Sequence, residues 1–171
     1  MKSPDIQLRA ESPQDAAAIE RVTMAAFLDA PHTSHTEQFI VGALRRAGKL
    51  TVSRVATHDG EVVGHVAVSP VQVSGTDLHW YGLGPVSVLP NYQGRGIGSA
   101  LVMEALLVLS NTGAAGCVVL GDPGYYKRFG FEANAALRLP GVPSEYFMAV
   151  AFDDSVPDGD VSYHEAFQAR S

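Results

Sequence analysis

Leu83-Gly-Pro-Val-Ser-Val-Leu-Pro90, Asn91-Tyr-Gln93, Gly94-Arg95-Gly96-Ile97-Gly98 and Ser99-Ala-Leu-Val-Met-Glu-Ala-Leu-Leu107 follow one another without a break. The stretch spells a strand, a short glycine-rich loop and a helix. Val86 and Val88 bracket Ser87, an alternation that suits a pleated strand. Pro90 has no N–H to give a ladder and closes it. From Gly98 onward Leu101, Val102, Ala105, Leu106 and Leu109 recur at helical spacing, and Asn111-Thr112-Gly113 supplies a stop.

Glycines at positions 94, 96 and 98 carry no β-carbon, so the backbone bends tightly and its N–H groups converge. They do so at a helix N-terminus, where unpaired N–H groups and the helix dipole favour an anion. The chemistry implied is a cradle for a pyrophosphate, with Arg95 adding the loop's one full charge. A Walker loop would need a lysine after Gly98, where Ser99 stands. A dinucleotide loop would need its third glycine at Ser99, directly after a domain's first strand. Neither pattern fits.

A third one does. Gln93-Gly94-Arg95-Gly96-Ile97-Gly98 resembles the Gln/Arg-x-x-Gly-x-Gly/Ala signature of the GNAT acetyltransferase superfamily. Tyr125-Tyr126-Lys127-Arg128-Phe129-Gly130-Phe131 resembles its second motif, a tyrosine shortly before Gly-Phe. Residues 119–131 as a whole are similar to one bacterial branch, the YhbS-like acetyltransferases. The resemblance runs from about residue 6 to residue 152. It implies an α/β fold with a mixed central β-sheet flanked by helices, and acetyl-CoA as cosubstrate with no metal. It implies that backbone groups of Val86, Ser87 and Val88 meet the pantetheine arm and polarise the thioester carbonyl. The loop from Gln93 through Gly94, Arg95, Gly96, Ile97 and Gly98 to Ser99 is then expected to hold the pyrophosphate. Tyr126 falls at the family's general-acid position, in contact with the cofactor sulfur. Neighbouring Tyr125 is expected, by alternation, to face the core.

Composition narrows the rest. At 171 residues, 46 % of them hydrophobic and 18 % charged, a single folded domain is expected. Residues 6–152 would form its core and residues 153–171 a C-terminal extension. A net charge of −6, with no basic cluster beyond Arg45-Arg46, argues against nucleic acid. It tilts the chain toward a cationic amine acceptor, small molecule or peptide. The single cysteine, Cys117, excludes an internal disulfide and sits in an apolar run where a buried strand residue is expected. No secretory signal and no run of ~18 apolar residues is read. A cytoplasmic protein free of membranes is therefore expected, and the resemblance leaves a homodimer open.

Along the chain, residues 6–9 alternate as a first strand. Ser12-Pro13-Gln14-Asp15 starts a helix burying Ile19, Val22, Ala26 and Phe27. Residues 29–34 break it, and a second helix from His35-Thr36-Glu37 carries Ile40, Leu44 and Ala47. Residues 50–56 and 62–71 are strands joined around Asp59-Gly60. A strand is expected over 116–120, a short helix over 125–129 ended by Gly130, and a last strand over 145–152. Residues 161–167 are left between a strand and a surface segment.

Acetyl transfer also needs a route for the amine's proton, and residues 80–88 contain no carboxylate. Glu37, His65 and Asp122 are the candidates, against plain roles as a helix N-terminal charge, a satisfied strand histidine and a turn former. Val119 stands where relatives often carry an asparagine. His32 and His35 beside Glu37 lack a third spaced ligand for a metal. An acyltransferase leads, a non-catalytic acyl-CoA sensor is the alternative, and a dinucleotide oxidoreductase comes third.

Overall fold

The computed structural model describes residues 5–30, 33 and 35–171. Its order is β1 (Ile6–Ala10), α1 (Ala16–Phe27), α2 (Glu37–Arg46), β2 (Val52–His58), β3 (Glu61–Val73), β4 (Trp80–Val88), α3 (Ile97–Asn111), β5 (Gly116–Leu120), α4 (Pro123–Tyr126), β6 (Glu132–Ala133), β7 (Leu137–Arg138), β8 (Phe147–Ala151) and β9 (Gly159–Tyr163). The sheet runs β1-β2-β3-β4-β5-β8-β6, with β9 joined to both β3 and β7. Its ladders are antiparallel except β4–β5 and β7–β9. A mixed sheet flanked by helices is the architecture expected above.

Local chemistry explains most boundaries. Asp59 and Gly60 both take positive φ, 51° and 80°, the backbone twist that a two-residue hairpin turn requires. Before α1 a turn of 3-10 helix spans Pro13–Asp15, where the Asp15 carboxylate accepts the Ser12 N–H at 2.7 Å and pairs with Arg9 at 2.6 Å. α1 buries Ile19 and Val22 as expected, while Ala26 and Phe27 are only half-buried because Phe27 faces a cleft. α2 buries Ile40, Val41 and Leu44, whereas Ala47 is exposed because the helix stops at Arg46. Of the expected break between α1 and α2, residues 31, 32 and 34 lie outside the described residues, His32 among them.

One face of the sheet is covered by α3. Leu101, Val102, Ala105 and Leu109 pack there with Val66, Val68 and Val119, all essentially without solvent exposure. On the other face Ile19 of α1 and Val41 of α2 pack on Val55 and Ala67. Cys117 is buried within β5, and burial pushes its thiol up, so it stays neutral.

The C-terminal stretch, which the sequence leaves open between a strand and a surface segment, supplies both. β9 pairs with residues Val71–Val73 of β3, and Ala166 with Phe167 packs on Ile40 and Leu44. Gly159 fits beneath Ser74 and Val73 with no room for a β-carbon, which is why the approach uses glycine.

The feature that positions the site lies in β4. Val86 and Leu83 pair with Val66 and Val68 of β3, so β4 carries one residue more than its partner between those points. This bulge holds Gly84, at φ 133°, and Pro85, which has no N–H to give. On the other edge, the parallel ladder with β5 stops at Gly82–Val118. β5 continues against β8 as far as Leu120–Phe147. The two central strands therefore part like a wedge beyond Gly82.

Candidate active site

The parted edge exposes backbone groups in a fixed order. Leu89 N–H donates to Val63 O at 2.9 Å, so Leu89 and, two residues earlier, Ser87 turn their groups toward β3. Val86 and Val88 turn theirs to the opposite edge, where β5 has departed. The Val88 carbonyl there accepts the Gln93 side-chain amide at 3.0 Å. Ser87 departs from expectation: its backbone belongs to the β3 side, and its hydroxyl is buried with no hydrogen-bond partner among the described residues. Only two of the three strand residues thus face the gap.

Gly94 and Gly96 adopt left-handed φ values of 76° and 82° on either side of Arg95. A backbone of this kind gathers successive N–H groups into an anion-binding concavity. Gly96 is the residue that opens α3, so the concavity coincides with the helix N-terminus. A cavity of about 320 Å³ sits there, walled by Gly94, Gly96, Gly98, Ser99, Tyr125 and Arg128. Arg95 rests over the Tyr92 ring, 5.3 Å from its centroid. The Ile97 side chain points the other way, into the core beside Leu101. It offers the cavity only its backbone.

Tyr125 overturns the expectation that it faces the core. Its hydroxyl lies 3.0 Å from Ser99 Oγ, its ring carries the Arg128 guanidinium at 4.6 Å, and it lines the glycine-loop cavity. Alternation is a rule for strands, whereas residues 125 and 126 belong to a helical turn and project about 100° apart. Arg128 is a cation that sequence reasoning missed; its spacing of three from Tyr125 within the helical turn was the available signal.

Tyr126 is mostly buried against Phe129 and Phe131, with ring centroids 6.2 and 6.0 Å away. Burial pushes its phenol up to about 12, so it carries its proton throughout the neutral range. Gly121 makes the room for that ring. A β-carbon at Gly121 would stand 2.5 Å from Tyr126 Cε2. Gly121→Ala is therefore expected to displace the ring and lower kcat about tenfold, leaving CoA affinity by calorimetry unchanged.

On the opposite side of the wedge lies a second cavity of about 360 Å³. Leu83, Gly84 and Pro85 of β4 and Leu120 of β5 form its floor; Phe27, Glu37 and Ile40 come from α1 and α2, Tyr163 and Phe167 from the C-terminal segment. Of the three candidate bases, Glu37 is the one in this cavity, its carboxylate accepting Thr33 Oγ at 2.7 and 2.9 Å. His65 is fully buried, sits 2.7 Å from Ser53 Oγ, and is held down to about 4 by burial. Asp122 caps α4, accepting the Gly124 N–H at 2.9 Å. Asp122 keeps its plain role as a turn former, whereas His65 is only half satisfied: its Nδ1 is buried with no hydrogen-bond partner among the described residues. Val119 lies in the core. Among the described residues no group of three or more His, Cys, Asp or Glu is placed to hold a metal.

A concavity of backbone N–H groups, an open strand edge and a second cavity are what the geometry brings together. The profile of the acetyltransferase (GNAT) domain matches residues 50–133. The uncharacterized N-acetyltransferase YhbS of Escherichia coli K12 is 41 % identical over 167 residues, 94 % of this chain and 97 % of that protein. The chain belongs to the GNAT family of N-acetyltransferases. Two solved GNAT structures share its fold closely. A GNAT family acetyltransferase from Brucella melitensis, crystallised with acetyl-CoA, is 50 % identical with a TM-score of 0.87, covering 96 % of this chain and 99 % of that one. YhbS from Escherichia coli, crystallised with CoA, is 38 % identical with a TM-score of 0.89, covering 100 % and 96 %.

Proposed function

We propose that this GNAT enzyme transfers the acetyl group of acetyl-CoA to an amine by direct attack within a ternary complex. The observation that carries the reading is the wedge between β4 and β5, with the anion cradle at one end and the second cavity at the other. The complexes of the Brucella protein with acetyl-CoA and of YhbS with CoA support the same cosubstrate here.

The N–H groups of the loop from Gln93 to Ser99 hold the pyrophosphate, aided by Arg95 and Arg128. The pantetheine arm takes the place of a strand beside Val86 and Val88, whose N–H groups polarise the thioester carbonyl. The amine nitrogen attacks the carbonyl carbon, the C–S bond breaks, and Tyr126 gives its proton to the leaving thiolate. Solvent then restores the phenol. Residues 1–171 act as a single domain with its core at about 6–152, and the pairing of β9 with β3 supports counting the extension 153–171 in the same unit. A reducing, cytoplasmic setting suits its one cysteine, which is buried.

Initial-velocity kinetics with acetyl-CoA and amine both varied are expected to give intersecting reciprocal lines. Parallel lines would mean an acetylated enzyme and overturn direct attack. Tight CoA binding with no thiol released from any amine would favour the sensor instead.

A further inference from the structure

The acceptor cavity has a composition that selects among amines. Phe27, Ile40, Leu83, Pro85, Leu139 and Phe167 make its walls apolar. Among the described residues lining it, Glu37 is the one carboxylate, and no lysine or arginine lines it. The Thr33 hydroxyl holds both Glu37 oxygens and fixes the carboxylate at the start of α2. The Tyr163 hydroxyl, in the same wall, is buried with no hydrogen-bond partner among the described residues, and burial keeps it protonated.

We propose that the acceptor is a small primary amine with one positive charge on an apolar, uncharged body. This rests on the acetyltransferase reading above and names the substrate class of that same site. The ammonium meets Glu37, and the body fills the apolar walls. A polyamine would have to bury a second ammonium against hydrocarbon with no carboxylate to meet it, which is costly. A polyol amine would bring more hydroxyls than the one Tyr163 hydroxyl could pair, leaving the rest against hydrocarbon. A carboxylate or phosphate would face Glu37 with like charge. At about 360 Å³ the cavity is at the small end of ligand pockets, which run roughly 300–1,000 Å³.

The balance is simple. The ammonium yields one proton to the Glu37 carboxylate and so to solvent, the C–N bond forms, and the C–S bond breaks. The second nitrogen proton is lost as the amide forms, balancing the one the thiol gains. Amide, CoA thiol and one free proton result.

The test measures thiol release by the full-length protein with acetyl-CoA and five acceptors: 2-phenylethylamine, hexylamine, ethanolamine, spermidine and a lysine-containing peptide. The expected result is a kcat/KM for the two apolar monoamines at least tenfold above the other three. Glu37→Gln should raise the KM for 2-phenylethylamine about tenfold, and Leu139→Asp should lower kcat/KM for it about tenfold, with CoA affinity unchanged by calorimetry. Phe167→Ala stands in for Leu139→Asp if that variant does not fold, with the same expected loss. Equal or better turnover of spermidine, ethanolamine or the peptide overturns the proposal. So does silence with both apolar amines in protein that binds CoA, or indifference to the cavity variants. Absence of CoA binding would instead overturn the underlying reading.

Discussion

Gly96→Val is expected to weaken CoA binding at least about a hundredfold, the largest loss of affinity any single side chain in the protein should produce. Two effects combine. Gly96 sits at φ 82°, where a β-branched residue is a strong outlier and the left-handed backbone costs about 1–2 kcal/mol. No described residue lies within 4 Å of the position its β-carbon would take, so the added isopropyl group projects into open space. That space is the mouth of the anion cavity, where the pyrophosphate must approach the backbone closely. Ile97→Ala makes the contrast. It opens a hole among Leu101 and its neighbours and should cost stability of about 1–3 kcal/mol, within the range for shortened core side chains. CoA affinity should stay near that of the parent. Calorimetry with CoA, paired with urea unfolding of both variants, separates the two losses. Equal affinity in Gly96→Val would remove the loop from the binding site.

Tyr126→Phe is expected to lower kcat about a hundredfold or more, in the range for loss of a general acid, with the KM for acetyl-CoA unchanged. The substitution keeps the ring that packs against Phe129 and Phe131 and removes only the hydroxyl. That hydroxyl makes no hydrogen bond to another described residue, so the fold loses no internal contact. Because burial raises the phenol to about 12, its proton stays in place until the pH nears that value. The parent enzyme should then show no alkaline decline from Tyr126 below about pH 10, and any decline seen there belongs to another group. An unchanged kcat in Tyr126→Phe would reduce the residue to packing.

What is legible in the sequence is what is local. Strand, glycine loop and α3 are contiguous, and each carries its own signal: β-branched alternation, glycines at alternate positions, apolar residues at helical spacing. The Asp59-Gly60 turn and the run 116–120 are legible for the same reason. The wedge is not, because it depends on where β5 stops pairing with β4, a relation between residues about 36 apart in sequence. Gly84-Pro85 in mid-strand was its one local trace, since proline inside a strand marks a bulge or an edge. The second cavity draws on α1, α2, β4, β5 and β9, so no sequence window contains it. β9 is hidden by its acidic, turn-rich neighbourhood, where Val161 and Tyr163 are the main apolar alternation. Tyr125 was misplaced because a strand rule was applied to a helical turn.

The open flank of β4 has a consequence for the protein's life span. Without cofactor, the amides of Val86 and Val88 are left to water, and the middle of the sheet carries an unfinished border of the kind that invites stray strands. On the proposed binding mode pantetheine would complete the border, so the melting temperature should climb with CoA concentration by mass action. Cellular supply of the cofactor would then govern not only how fast the enzyme turns over but how long each copy survives proteolysis.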